Sequence, residues 1–134
     1  MKTKPNLSII IIFSIVLILS IISIIGGIIY KEYGIKITLL IVGIVLLIIS
    51  ILEFIGIFSN YEEIINDELI IHRLGKTIKC NIKDIKFVEF KGFIITLIKN
   101  DNSELCNIDP RKQNILKIID YLIDNGAEYV EKIQ

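Results

Sequence analysis

The sequence predicts a membrane α-helical hairpin followed by a small α+β domain, and three observations carry that reading. Two long apolar runs occupy the first half of the chain. The second half breaks into short segments that alternate apolar and polar residues between turns. Near the C-terminus, one stretch repeats its apolar residues at helical spacing.

The first run, Leu7 to Tyr30, is interrupted only by serines and by Gly26 and Gly27, and nothing in it is charged. A bilayer core of roughly 30 Å takes about 20 helical residues to cross, so a first span is predicted at about 8–30. The stretch Lys31 to Lys36 breaks the pattern. A second apolar run then extends over 37–58 with Glu53 as its single charge, giving the second span. Lys2 and Lys4 before the first run suit a signal peptide as well as a span. The apolar core is too long for one, however, and no small-residue cleavage pattern follows it. The short connection makes the two helices antiparallel neighbours, with Ser20, Ser23 and Gly27 able to face Gly43 and Ser50. The predicted division is a tail at 1–6, a hairpin at 7–58 and a soluble domain at 59–134.

From Ser59 onward six short strands are predicted: Tyr61 to Ile65, Glu68 to Leu74, Thr77 to Ile82, Ile85 to Phe90, Phe93 to Lys99 and Glu104 to Ile108. The third is the cleanest, with Ile78, Cys80 and Ile82 on one face and Lys79, Asn81 and Lys83 on the other. Asn66-Asp67, Gly75-Lys76, Lys91-Gly92 and Asn100 to Ser103 supply the turns between strands. The helix that follows places Ile115, Ile118, Ile119 and Leu122 at i, i+3, i+4 and i+7. Asp109 is the expected cap, Pro110 the first helical position and Gly126 the stop. The product is an antiparallel strand meander closed by one amphipathic helix.

Composition narrows the function classes. The chain is 134 residues long, 53% hydrophobic and of zero formal net charge. Neutrality argues against nucleic-acid binding, which needs a basic surplus to displace counterions. Cys80 and Cys106 are the only cysteines and lie outside any C-x-x-C spacing. They read as buried free thiols, a disulfide being an alternative only in an oxidising space. His72 is the only histidine. No glycine-rich phosphate loop, nucleophile elbow or HExxH helix is present. No enzyme activity, cofactor or metal site is expected.

Several segments resemble the small bacterial membrane proteins that carry a PH-like domain. They are Tyr61-Glu62-Glu63-Ile64 with the Asn66-Asp67 turn, and Leu69-Ile70-Ile71 leading to Gly75. Ile82-Lys83-Asp84-Ile85 with Val88 matches the family's I-x-D-I-x-x-V segment, and Gly92-Phe93-Ile94-Ile95 opens the next strand. The resemblance covers about half the chain, from Tyr61 to about Gly126, and the domain is short for the family. It implies a fold used for binding or assembly rather than catalysis. It also associates the architecture with envelope stress or protection against membrane-active peptides. No functional residue carries over.

Two groups of residues are singled out. Lys76, Lys79, Lys83, Lys86 and Lys91 form the one local excess of positive charge, suited to a membrane surface or a partner, or serving to protect a strand edge. Glu53 is an ionisable group in a span, read as lying in the headgroup region or as an intramembrane polar contact. Lys2, Lys4 and the α-amine precede the first span, Lys31 and Lys36 stand with Glu32 between the spans, and Arg73, Lys76 and Lys79 follow the second. This bias favours both termini in the cytoplasm.

The expected protein is a multi-pass cell-membrane protein. Its PH-like domain would bind a protein partner, copies of itself or anionic lipid. The alternative is an accessory subunit of a transport, pore or peptide-protection system, in which the hairpin is the active part.

Overall fold

The computed structural model describes residues 1–132. The chain divides into two compact units, one formed by Leu7–Phe58 and the other by Met1–Asn6 together with Ser59–Gln134.

The first unit holds α1, Leu7–Ile29, and α2, Tyr33–Ser59. At 1.5 Å per residue both exceed a 30 Å hydrocarbon core. The second helix begins earlier than the sequence suggests, because Lys36 N–H already bonds Glu32 C=O at 2.9 Å and the connection shrinks to Tyr30–Glu32. Burial is inverted relative to a water-soluble helix pair. The buried residues are Ser20 and Gly27 in α1 and Gly43 and Ser50 in α2, while isoleucines and leucines cover the outside. Small residues let the backbones approach, as apolar helices do in lipid. Ser23 adds a cross-helix bond, its hydroxyl donating to Leu39 C=O at 2.8 Å.

The second unit contains two sheets. Strands β1 (Tyr61–Ile65), β2 (Glu68–Arg73) and β3 (Lys76–Asn81) form an antiparallel meander. A short 3₁₀ turn, Ile82–Asp84, leads into β4 (Ile85–Lys91), β5 (Ile94–Lys99) and β6 (Glu104–Ile108). Helix α3 (Ile115–Asp124) follows, and then β7 (Glu128–Lys132). The second sheet has the order β6-β5-β4-β7, with β7 parallel to β4. The six-strand meander and its helix are those expected; β7 is additional. It is a charged edge strand held by its backbone, by Lys132 on Glu89 and by Tyr129 on Phe90, and it carries no alternating apolar pattern.

The helix starts later than expected. Asp109 accepts from its own neighbourhood, Arg111 N–H at 2.9 Å, and so closes a turn rather than a helix cap. The chain then passes through a left-handed Asn114 (φ 65°) before α3 begins. The apolar stripe is as read: Ile115, Ile118, Ile119 and Leu122 are all buried, against Leu69, Ile71, Val88, Ile95 and Leu97 of the sheets. Each such side chain contributes about 1.5–3 kcal/mol on leaving water.

The tail is part of this unit. Thr3 N–H bonds Glu62 C=O and Ile64 N–H bonds Met1 C=O, each at 2.8 Å, so Met1–Thr3 pairs antiparallel with β1. Lys4 and Gln113 exchange two backbone bonds of 3.0 Å. The sheet domain is thus discontinuous, with both apolar helices inserted between its tail and β1.

Candidate functional site

A carboxylate at a core-facing position of β1 organises one end of the sheet domain. Tyr61, Glu62, Glu63 and Ile64 alternate in burial, and Glu62 falls on the inward side with Ile64, its side chain fully excluded from water. An uncompensated charge there would cost several kcal/mol. It is compensated from three directions. Lys112 Nζ lies 2.9 and 3.1 Å from the two carboxylate oxygens, and Arg73 Nη1 lies 2.7 Å from Oε1. Thr3 donates its hydroxyl to Oε2 at 2.8 Å and accepts Glu62 N–H at 2.9 Å. Burial alone raises the Glu62 pKa, but Lys112, Thr3 and Arg73 outweigh it and hold it below the usual value.

The same charges tie neighbouring segments together. Lys112 Nζ also donates to Asn60 C=O at 3.0 Å, and Arg73 Nη2 to Asn107 C=O at 3.1 Å. Leu74 N–H reaches Asn60 Oδ1 at 3.2 Å, and Gln113 Nε2 donates to Pro5 C=O at 3.0 Å. One end of the domain, here the basal end, therefore gathers the tail, the start of β1, the β2–β3 turn and residues 109–113. The opposite end gathers the polar turns. Ile82 N–H bonds Asp67 C=O, Asn100 N–H bonds Asp84 C=O, and Tyr121 hydroxyl bonds Asp67 Oδ1.

His72, on the exposed side of β2, sits 2.8 Å from Glu63 Oε1 and stacks on Tyr61 at 4.2 Å between centroids. Lys2 covers the same ring at 3.8 Å. These contacts account for His72 as a strand residue. Among the described residues no three His, Cys, Asp or Glu side chains are grouped to hold a metal.

A second polar row crosses the outer face of the four-stranded sheet. Glu89, Thr96 and Asn107 are register neighbours on β4, β5 and β6. Thr96 donates to Asn107 Oδ1 at 2.8 Å. Glu89, nearly buried, is held by Lys132 at 2.6 Å and Lys91 at 3.0 Å, which lower its pKa. Beside it lies a shallow depression of about 450 Å³ lined by Lys91, Phe93, Ile94, Thr96, Glu104 and Asn107.

The five singled-out lysines are not brought into one patch. Lys76 and Lys79 lie on β3, the edge of one sheet; Lys83 is in the 3₁₀ turn; Lys86 and Lys91 are on β4 of the other sheet. Lys76 to Lys83 spans about 20 Å at strand rise, from the basal end to the opposite one. Lys91 is engaged by Glu89 and Glu104. Lys76, Lys79 and Lys83 carry no acid partner among the described residues. Glu53 is exposed on α2, six residues before the helix ends at Ser59, and makes no polar contact with α1 among the described residues.

Glu62 was missed from the sequence although a signal exists: it shares strand parity with Ile64, a charge on the apolar face. Its partners are separated from it by 11, 50 and 59 positions, and no local pattern links them. No protein-family model, curated protein or solved structure matches this chain.

Proposed function

We propose that the chain is an integral membrane protein whose two helices span the bilayer and mount a PH-like sheet domain on the cytosolic face. There the domain serves as an interaction module for a protein partner or further copies of itself. The observation that carries this reading is the Thr3–Glu62 junction. The residues before α1 and those after α2 belong to one folded unit, which is what a two-span hairpin with both ends on one side of the bilayer requires. The outward side chains of the helices are those lipid accepts, and the buried ones are small. The lysines at the tail and after α2 favour the cytosolic side.

A second reading makes the hairpin the active part of a transport, pore or peptide-protection assembly. Glu53 favours it, an acid exposed on an apolar helix with no partner in its own hairpin. The two are separated by affinity capture of full-length protein from its own membranes, repeated with E53Q and with residues 60–132 removed. An interaction module loses its stoichiometric partner with the domain and keeps it in E53Q. The reverse pattern establishes the hairpin reading.

A further inference from the structure

The two ends of the sheet domain differ in their turns. At the end away from the chain connections the turn residues are Asn66-Asp67 and Asn100-Asp101-Asn102, with Asp84 beside them. This is ordinary solvent-facing turn chemistry. At the basal end the two turns carry large apolar side chains at their tips. Leu74 precedes Gly75 and is 66% exposed; Phe93 follows Gly92 and is 87% exposed. Phe93 stands beside Ile94, Asp109 and Arg111 at a depression of about 230 Å³, which puts it on the same end as the 109–113 segment.

Around these tips the basal end is basic. Lys4, Lys76 and Arg111 are exposed there, and the two lysines have no acid partner among the described residues. Three acids of this end are paired within the domain, Glu62 with Lys112 and Arg73, Glu63 with His72 and Asp109 with Arg111, while Glu131 on β7 is exposed there. The opposite end presents Asp67, Glu68, Asp84 and Asp101 together with Lys83 and Lys99. Both chain connections to the apolar helices leave from the basal end. Asn6 runs directly into α1, and Ser59 ends α2 one residue before β1 begins. Residues bonded to Pro5 and Asn60, among them Leu74, Lys112 and Gln113, are therefore within a few residues of apolar helix ends.

We infer that the basal end is a bilayer-contact surface: Leu74 and Phe93 enter the interfacial layer while Lys4, Lys76 and Arg111 engage anionic lipid headgroups. Exposed apolar tips ringed by bases suit that interface, where apolar burial and attraction to anionic lipid act together. The inference rests on the reading that α1 and α2 span the membrane. It also divides the lysines singled out from the sequence, since Lys76 is placed for headgroups and Lys83, about 20 Å along the strand direction, is not.

The chain contains no tryptophan, so one introduced indole reports without background. Full-length F93W and, as the opposite-end control, I65W are reconstituted in nanodiscs of phosphatidylcholine, alone or mixed with phosphatidylglycerol, each with and without acyl-brominated phosphatidylcholine. The expected result is loss of most F93W emission to the brominated lipid, greater with phosphatidylglycerol present, and little loss from I65W. Adding K4Q, K76Q and R111Q to F93W should return quenching to its level in phosphatidylcholine alone. Equal quenching of F93W and I65W overturns the contact, and so does a blue-shifted F93W that bromine does not reach, which means burial against protein. Insensitivity to lipid charge overturns the headgroup role. Failure of the protein to enter nanodiscs at all would sink the spanning reading, a result distinct from these.

Discussion

The Thr3 hydroxyl donates to the Glu62 carboxylate at 2.8 Å across 59 positions of sequence, and the two apolar helices lie between the two residues in the chain. The same hydroxyl oxygen accepts Glu62 N–H, so one small side chain meets both the backbone and the charge of its partner. With Thr3 N–H bonded to Glu62 C=O, the tail covers an edge of β1 that would otherwise expose unpaired backbone groups. Completion of the sheet domain therefore requires the chain to return past both apolar helices, because the tail and β1 lie on either side of them in sequence.

Removing the Glu62 charge should damage the sheet domain about as much as truncating a core leucine. E62A strips the buried partner from Lys112 and Arg73, and breaking a buried pair in this way costs about 3–5 kcal/mol. T3V deletes the hydroxyl at near-constant shape and should cost about 1–3 kcal/mol, the penalty for leaving a buried group unsatisfied. Hydrogen exchange on full-length protein in nanodiscs reads both, with loss of protection at Glu62 N–H and Ile64 N–H in each variant. Unchanged protection in T3V would show that the tail is held by its backbone bonds alone.

The Glu62 pKa also sets a direction for the response to acid. Its folded value is depressed, despite burial, by Lys112, Thr3 and Arg73. A depressed carboxyl stabilises the fold above its unfolded pKa, about 4.3 for Glu, and that stabilisation is lost as pH falls through the folded value. Thermal midpoints should therefore be flat near neutrality and fall below about pH 4.3. In E62Q the midpoint at pH 7 should be lower and the acid slope shallower. Glu89, lowered by Lys132 and Lys91, and Asp109, lowered by Arg111, account for the slope that remains. An E62Q slope as steep as wild type would remove Glu62 as a source of acid sensitivity.

What the sequence made legible was what periodicity encodes. Charge-free runs marked α1 and α2, and the Ile115–Leu122 stripe marked the buried side of α3. The strands of the meander announced themselves through alternation and turn residues. Pairing through the backbone and polar side chains leaves no such mark, which is why β7 and the tail were not foreseen: Glu128, Glu131 and Lys132 carry no apolar parity, and Met1–Lys4 is too short for any period. Asp109-Pro110 looked like a helix start because cap and turn draw on the same residues, and here the turn won. The lysine group was legible as composition but not as placement, since β3 and β4 fall in different sheets.

Cysteine labelling will not treat the two thiols alike. Cys106, on the core-facing side of β6, is pushed up to about 12 by burial. At pH 7.5 only on the order of one thiol in 10⁴ to 10⁵ is then the reactive thiolate. Cys80, on edge strand β3, is raised by burial and then by Asp84, and is partly exposed. In permeabilised cells an impermeant maleimide should label C106S, which retains Cys80, much faster than C80S. The orientation test therefore belongs to Cys80. Cytosolic placement predicts that C106S is labelled only after permeabilisation, and labelling of intact cells would reverse the assignment of the domain's side.

The hairpin offers an internal comparison among its glycines. A Cβ built on Gly43 would sit 2.6 Å from Ile24 Cγ1 and 3.0 Å from both Ile24 N and Ser20 O. On Gly27 it would meet Leu40 Cγ at 2.7 Å and Leu40 N at 3.0 Å. Backbone atoms cannot step aside as a side-chain tip can, so G43A and G27A must spread the helices. Overpacking of this kind costs about 1–3 kcal/mol. Gly34 and Gly56 have nothing within 4 Å of a Cβ, and alanine there adds helix propensity without a clash. Titration of the full-length protein with denaturing detergent, followed by cross-linking between α1 and α2, should show early loss of the helix contact in G43A and G27A. G34A and G56A should match wild type. Equal midpoints for all four variants would mean that the close approach at Gly43 does not hold the hairpin together, leaving outward contacts such as Glu53 to explain its pairing.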